Sequence, residues 1–179
     1  KKLVMAKLTD MTNGEYSRVF DYHLELVRSN PGSTVAVCLD PDIHDKPVFQ
    51  RMYVCLEVCK KGFLAGCRRV VGLDGCFLKG AVRGQFLSTI GRDANNQMYP
   101  LAWATVEVES YESWYWFLSL LQKDLQISNH GDGWVFLSDQ QKVCAECFHM
   151  FMVGRVMLAG LFMVDSSAST VHACQVESC

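Results

Sequence analysis

The chain has 179 residues, half of them apolar, with 17 Lys and Arg against 19 Asp and Glu. That is enough apolar side chain for a packed core, and it excludes global disorder. Nine cysteines, an odd number in no regular framework, fit free thiols of an intracellular protein better than a disulfide scaffold.

Residue 1 is Lys rather than Met, and no charged start leads into an apolar stretch with a cleavage site. No signal peptide is therefore expected, and the chain reads as a piece of a longer one. Charge is unevenly spread. From Lys46 to Arg92 nine basic residues face two acids, a net of +7. From Asp93 to the end three basic residues face ten acids, a net of −7. A basic stretch beside an acidic site suits a polyanionic substrate and a cationic cofactor. An ordinary solvated surface has the same composition.

In chain order, Tyr16, Val19, Phe20, His23, Leu24 and Val27 recur at helical spacing. Asn30-Pro31-Gly32 ends that helix. Val35, Val37 and Leu39 alternate as in a short strand, and residues 41–47 read as an exposed loop. From Val48 to Gly66 the pattern fits a helix or a strand. A strand is predicted over 70–78, a second over 85–91 and a third over 98–108. Arg92-Asp93-Ala94-Asn95-Asn96 makes an Asx turn between the last two. A helix follows, with Ser110 as N-cap, Ser113 three residues on, and an apolar face of Trp114, Phe117, Leu118, Leu121 and Leu125. A fourth strand spans 134–137, and a further helix is expected from Gln140.

Three strands joined by tight turns form an antiparallel meander. A helical crossover then lets the fourth strand lie parallel to the first. The expected fold is α/β: a ribonuclease-H-like mixed sheet of order β-β-β-α-β-α, with a partial N-terminal α+β region. The expected division is an N-terminal region over 1–69, a truncated core over 70–150 and a divergent tail over 151–179.

Two acids stand out in this scheme. Asp74 interrupts the apolar run Val70-Val71-Gly72-Leu73-Asp74, read as a buried strand, and Asp139 ends the run from Trp134. A buried Asp is costly unless it is paired or holds a metal. Strand order brings Asp74 and Asp139 together and leaves Asp93 at the opposite end of the sheet. Lys79, Arg83 and Arg92 are candidate phosphate contacts; turn solubility explains Lys79 and Arg83 equally well, and it explains Arg92 better, because Arg92 lies at the other end of the sheet from the acids.

The run from Leu73 to Gly80, that from Gly91 to Ala104, Glu107 with Ser113–Leu118, and Ser138-Asp139-Gln140-Gln141-Lys142 together resemble plant Mutator-like element (MULE, MuDR) transposases. Residues 29–35 and 49–56 resemble the region before the core in such proteins, so the likeness runs from about Tyr22 to Lys142. It implies a nuclear, metal-dependent enzyme that cleaves and joins DNA at transposon ends and target, with three acidic ligands in the order Asp, Asp, Glu. Asp74 matches the first and Asp139 the second. The implied cofactor is Mg²⁺ or Mn²⁺. Two such ions about 4 Å apart activate a water or a DNA 3′-hydroxyl and stabilise the leaving oxygen. Carboxylate oxygens suit these hard ions. Self-association into a homo-oligomer is compatible with this implication, and a membrane is not.

After Lys142 the likeness is expected to fail, as in a transposon whose reading frame has decayed. No third acid is identified: Glu146 lies two helical turns past Asp139, and Glu177 lies in the tail. The chain is therefore expected to be inactive as it stands. The alternative is a transposase-derived, DNA-binding transcriptional regulator without catalysis. Cys144, Cys147, His149, His172 and Cys174 are weak zinc candidates, because Cys147-x-His149 is too tight for the usual spacing. Phe148–Val164 is apolar over near-spanning length, but Arg155 at its centre costs about 3 kcal/mol in a bilayer. A helix docked on the core is expected there.

Overall fold

The computed structural model describes residues 18–41, 47–79, 84–127 and 133–138, together with the backbone of 155–158, 162–164 and 172–173. Helix α1 (Val19–Ser29) leads into strands β1 (Thr34–Pro41) and β2 (Pro47–Cys55) and helix α2 (Glu57–Gly66). Strands β3 (Arg68–Phe77), β4 (Gln85–Arg92) and β5 (Met98–Val106) follow, then helix α3 (Tyr111–Asp124) and β6 (Val135–Ser138). Three short strands come last: β7 (Arg155–Leu158), β8 (Phe162–Val164) and β9 (His172–Ala173).

All nine strands belong to one mixed sheet of order β1-β2-β5-β4-β3-β6-β7-β8-β9. The expected meander is present, with β3–β4 and β4–β5 antiparallel, and β6 returns parallel to β3. Residues before 70 join the same sheet, because β2 pairs with β5 through Met52–Thr105, Tyr53–Ala104 and Val54–Trp103.

The stretch with two readings from Val48 to Gly66 is both a strand and a helix. Met52, Tyr53, Val54 and Cys55 are all buried, so β2 is covered on both faces. A doubly covered strand loses the alternation that marks a half-exposed one, which is why its sequence was ambiguous.

Helix α3 begins as its sequence predicts. The Ser110 hydroxyl accepts from the Ser113 N–H at 3.2 Å, and the Ser110 N–H donates to Ser113 Oγ at 2.9 Å. Its inner side buries Trp114, Phe117, Leu118 and Leu121 in one cluster with Tyr53, Leu73, Leu87 and Ala104 of the sheet. Each such side chain contributes about 1.5–3 kcal/mol on burial. Tyr53 meets Phe117 edge-on, with ring centroids 5.5 Å apart. The far end of α3 is tied down by charge. Asp124 Oδ1 accepts from Thr34 Oγ1 at 2.5 Å and from Lys60 Nζ at 3.1 Å, and Oδ2 accepts from Tyr53 at 2.8 Å. One buried carboxylate thus joins β1, β2 and α2 to α3. Burial, with Asp124 nearby, pushes the Cys55 thiol up to about 12.

The apolar stretch over 148–164 departs from expectation. Its described residues are strands: β7 lies parallel to β6, and β8 returns antiparallel to β7. Short apolar runs do not declare their period, and the open edge of β6 offers these a partner for every ladder hydrogen bond. The helix expected from Gln140, and Glu146 with it, lie outside the described residues.

Candidate functional site

Asp74 is exposed, not buried as its apolar surroundings suggested. Strand β3 alternates. Val71 and Leu73 enter the core, at 0% and 4% exposure, and the pleat turns Asp74 to the other face. The apolar run predicts a buried strand, whereas β3 at this point is covered on one face only. The Asp74 carboxylate makes no hydrogen bond or ion pair to a described residue; Ser88 on β4 touches only its backbone, donating to the Asp74 carbonyl at 3.4 Å.

The parallel register of β3 and β6 pairs Val71 with Phe136, Gly72 with Leu137 and Leu73 with Ser138. Asp74 is the residue after Leu73, and Asp139 is the residue after Ser138. Asp139 itself lies outside the described residues, as do Arg83, Glu177 and the side chains of the zinc candidates. Lys79 is exposed at the end of β3 and forms no ion pair with a described residue. Asp93 falls at the opposite end of the sheet, as expected. Its Oδ1 accepts the N–H groups of Asn95 at 2.9 Å and Gln97 at 2.8 Å, closing the Asx turn.

One further carboxylate stands beside Asp74 in the chain's fold. A Cβ on Gly75 would meet Glu109 Oε1 at 2.8 Å, so the Glu109 carboxylate lies directly on the Gly75 backbone. Trp114 Nε1 holds it there, donating to Oε1 at 3.0 Å. Sequence reading passed over Glu109. The available signal was Gly75, since a glycine inside a strand often marks close approach of another group. Gly75 faces the core side of the sheet and Asp74 the other, so Glu109 anchors the β5–α3 connection to β3 rather than joining the Asp74 carboxylate.

Glu107 nearby is similarly engaged. It pairs with Arg51 at 2.8 Å. The Arg51 side chain, 8% exposed, also stacks 5.5 Å from the Trp116 ring centroid. Among the described residues no three His, Cys, Asp or Glu side chains gather as a metal-binding group. Asp74 offers a free, accessible carboxylate at this end of the sheet, and its hard oxygen donors suit a divalent cation such as Mg²⁺. No helix among the described residues is long and apolar enough to cross a membrane.

A mixed α/β sheet with an accessible aspartate on its central strand, beside a parallel strand that leads to another, defines the class. A family model for the MULE transposase domain matches residues 70–168, over half the chain. The chain belongs to the MULE transposase family. The match starts in β3 and ends beyond β8, so it does not stop at Lys142 as the sequence motifs suggested. No curated protein and no solved structure matches the chain.

Proposed function

We propose that this domain derives from a ribonuclease-H-like DNA cleavage and strand-transfer enzyme, in which Asp74 and Asp139 hold the divalent metal. The observation that carries this reading is the parallel β3–β6 ladder: its last described pair, Leu73 and Ser138, immediately precedes both aspartates. A metal bound there would supply Lewis-acid stabilisation of the departing oxygen of a phosphodiester. The chain's own contribution is to present Asp74 from a rigid central strand, unpaired and open to solvent. Lys79, exposed just beyond, would meet the phosphate backbone, and Arg83 of the same turn would act with it. Acting on chromosomal DNA, it would work in the nucleus.

The chain as it stands is proposed to bind metal and DNA without cutting DNA, because the motif match supplies Asp74 and Asp139 but no third acid. This favours, as a second reading, a non-catalytic DNA-binding regulator of transposase descent. Mn²⁺ binding to the 179-residue protein, followed by paramagnetic relaxation, should be lost in both Asp74→Asn and Asp139→Asn. Retained binding in either variant would remove that aspartate from the site. Supercoiled plasmid with Mg²⁺ should remain intact, and nicking that disappears in Asp74→Asn would show the chain to be an active nuclease.

A further inference from the structure

The end of the sheet opposite Asp74 carries a concentration of positive charge that the proposed chemistry does not use. Arg68 opens β3 and is the cross-strand partner of Arg92, the last residue of β4. Both are exposed, as is Arg69. Like charges placed directly opposite on neighbouring strands destabilise a sheet. None of the three arginines forms an ion pair with a described acid. The adjacent Asp93 has Oδ1 committed to the two backbone N–H groups of its turn.

Local backbone geometry holds this arrangement. The β3–β4 register jumps between Arg68 and Val71, so Arg69 and Val70 form a bulge with no partners on β4. Bulges re-aim side chains. Here the Arg69 guanidinium comes over the Trp134 ring, 5.7 Å from its centroid. Trp134 is itself fixed by stacking on Phe63, with centroids 5.9 Å apart. An arginine laid on an aromatic face keeps its outward N–H donors in a set plane, the geometry that suits phosphate oxygens. The Lys61 charge on nearby α2 is different, since it pairs with Glu57 at 2.8 Å.

We propose that Arg68, Arg69 and Arg92 form a contact surface for the phosphate backbone of duplex DNA, remote from the acidic end of the sheet. The proposal rests on the DNA-processing reading above for its choice of polyanion. Six residue steps along the strand take Arg68 to Asp74, roughly 20 Å at the rise of a β-strand. A duplex lying along β3 would therefore meet the arginines about six base-pair steps from the acid, at about 3.4 Å per step. The repulsion between Arg68 and Arg92 is relieved when phosphate enters between them.

The test is fluorescence anisotropy of the 179-residue chain with a labelled duplex of arbitrary sequence, in EDTA, across a series from about 50 to 200 mM salt. The triple variant Arg68→Gln/Arg69→Gln/Arg92→Gln should bind more weakly throughout, with its log–log salt slope reduced by about 3, one per lost phosphate contact. Arg92→Gln alone should reduce it by about 1, which keeps the test open if the triple variant fails to fold. Lys61→Gln, which removes a charge already paired, should leave the slope as it is. An unchanged slope in Arg92→Gln, an equal loss in Lys61→Gln, or no DNA binding by the wild-type chain would overturn the proposal. So would arginine variants that alter only self-association in gel filtration, which would mean that the arginines meet the acidic half of a second copy. Because no metal is present, loss of cleavage or of Mn²⁺ binding in the earlier experiments leaves this result unaffected.

Discussion

Helices α1 and α3 have similar amphipathic sequences and opposite standing in the fold. Helix α3 has a reciprocal serine capping box at its start, a buried carboxylate clamp at its end and a row of fully buried side chains between. Helix α1 has no side-chain cap hydrogen bond and buries no residue, and Phe20, Tyr22, Leu24 and Val27 are exposed. The pattern of apolar residues specifies that each segment can be helical. It does not specify how much surface the rest of the chain offers to receive it. α3 lies across the middle of the sheet, whereas α1 packs mainly beside the edge strand β1.

The comparison is most exposed to Trp114→Ala. This change removes a fully buried indole and the donor that holds Glu109 over Gly75, and it should cost about 3–5 kcal/mol in denaturant unfolding. A loss near zero would mean that α3 is no better anchored than α1. Next comes Asp124→Ala, which leaves the Tyr53 hydroxyl without its acceptor and takes from Lys60, with a side chain 13% exposed, the nearer of its two carboxylates, Glu57 remaining at 3.7 Å. About 2 kcal/mol should be lost, because the buried Tyr53 hydroxyl loses its acceptor while Lys60 keeps the Gly32 carbonyl and Glu57. The same variant should detach β1 and α2 first, visible as faster amide exchange there than in β4. Ser110→Ala removes one half of the cap and should cost about 1 kcal/mol. The smallest effect belongs to α1. Glu25 and Arg28 are joined at 2.6 Å in full solvent, and Glu25→Ala should leave the thermal midpoint unchanged. A marked drop would show that α1 is coupled to the core after all.

The same distinction governs what could be read from the chain at the site. Tight turns, a helix with a cap and a fourth apolar run were enough to give the meander and the parallel return of β6, because each rests on local signals. The exposure of Asp74 was not legible. Val70, Val71, Gly72 and Leu73 read as a buried strand, and only the placement of α3 on one face shows which residues stay open. Glu109 was missed for a related reason: a carboxylate's contact with a glycine backbone on another strand leaves no trace in spacing. The strands over 155–164 were read as a helix because the partner that makes them strands, β6, is distant in sequence.

By itself the sequence determined the family motifs, the strand order of the core and the parallel placement of the Asp74 strand beside the one ending at Ser138. Periodicity, caps and turns are properties of short segments, so they survive without a tertiary context. Tertiary structure alone decided which face each strand shows to solvent, that residues before 70 share the sheet, and that Arg68 stands opposite Arg92. Those are consequences of register and layer order, which depend on pairings between residues far apart in the chain.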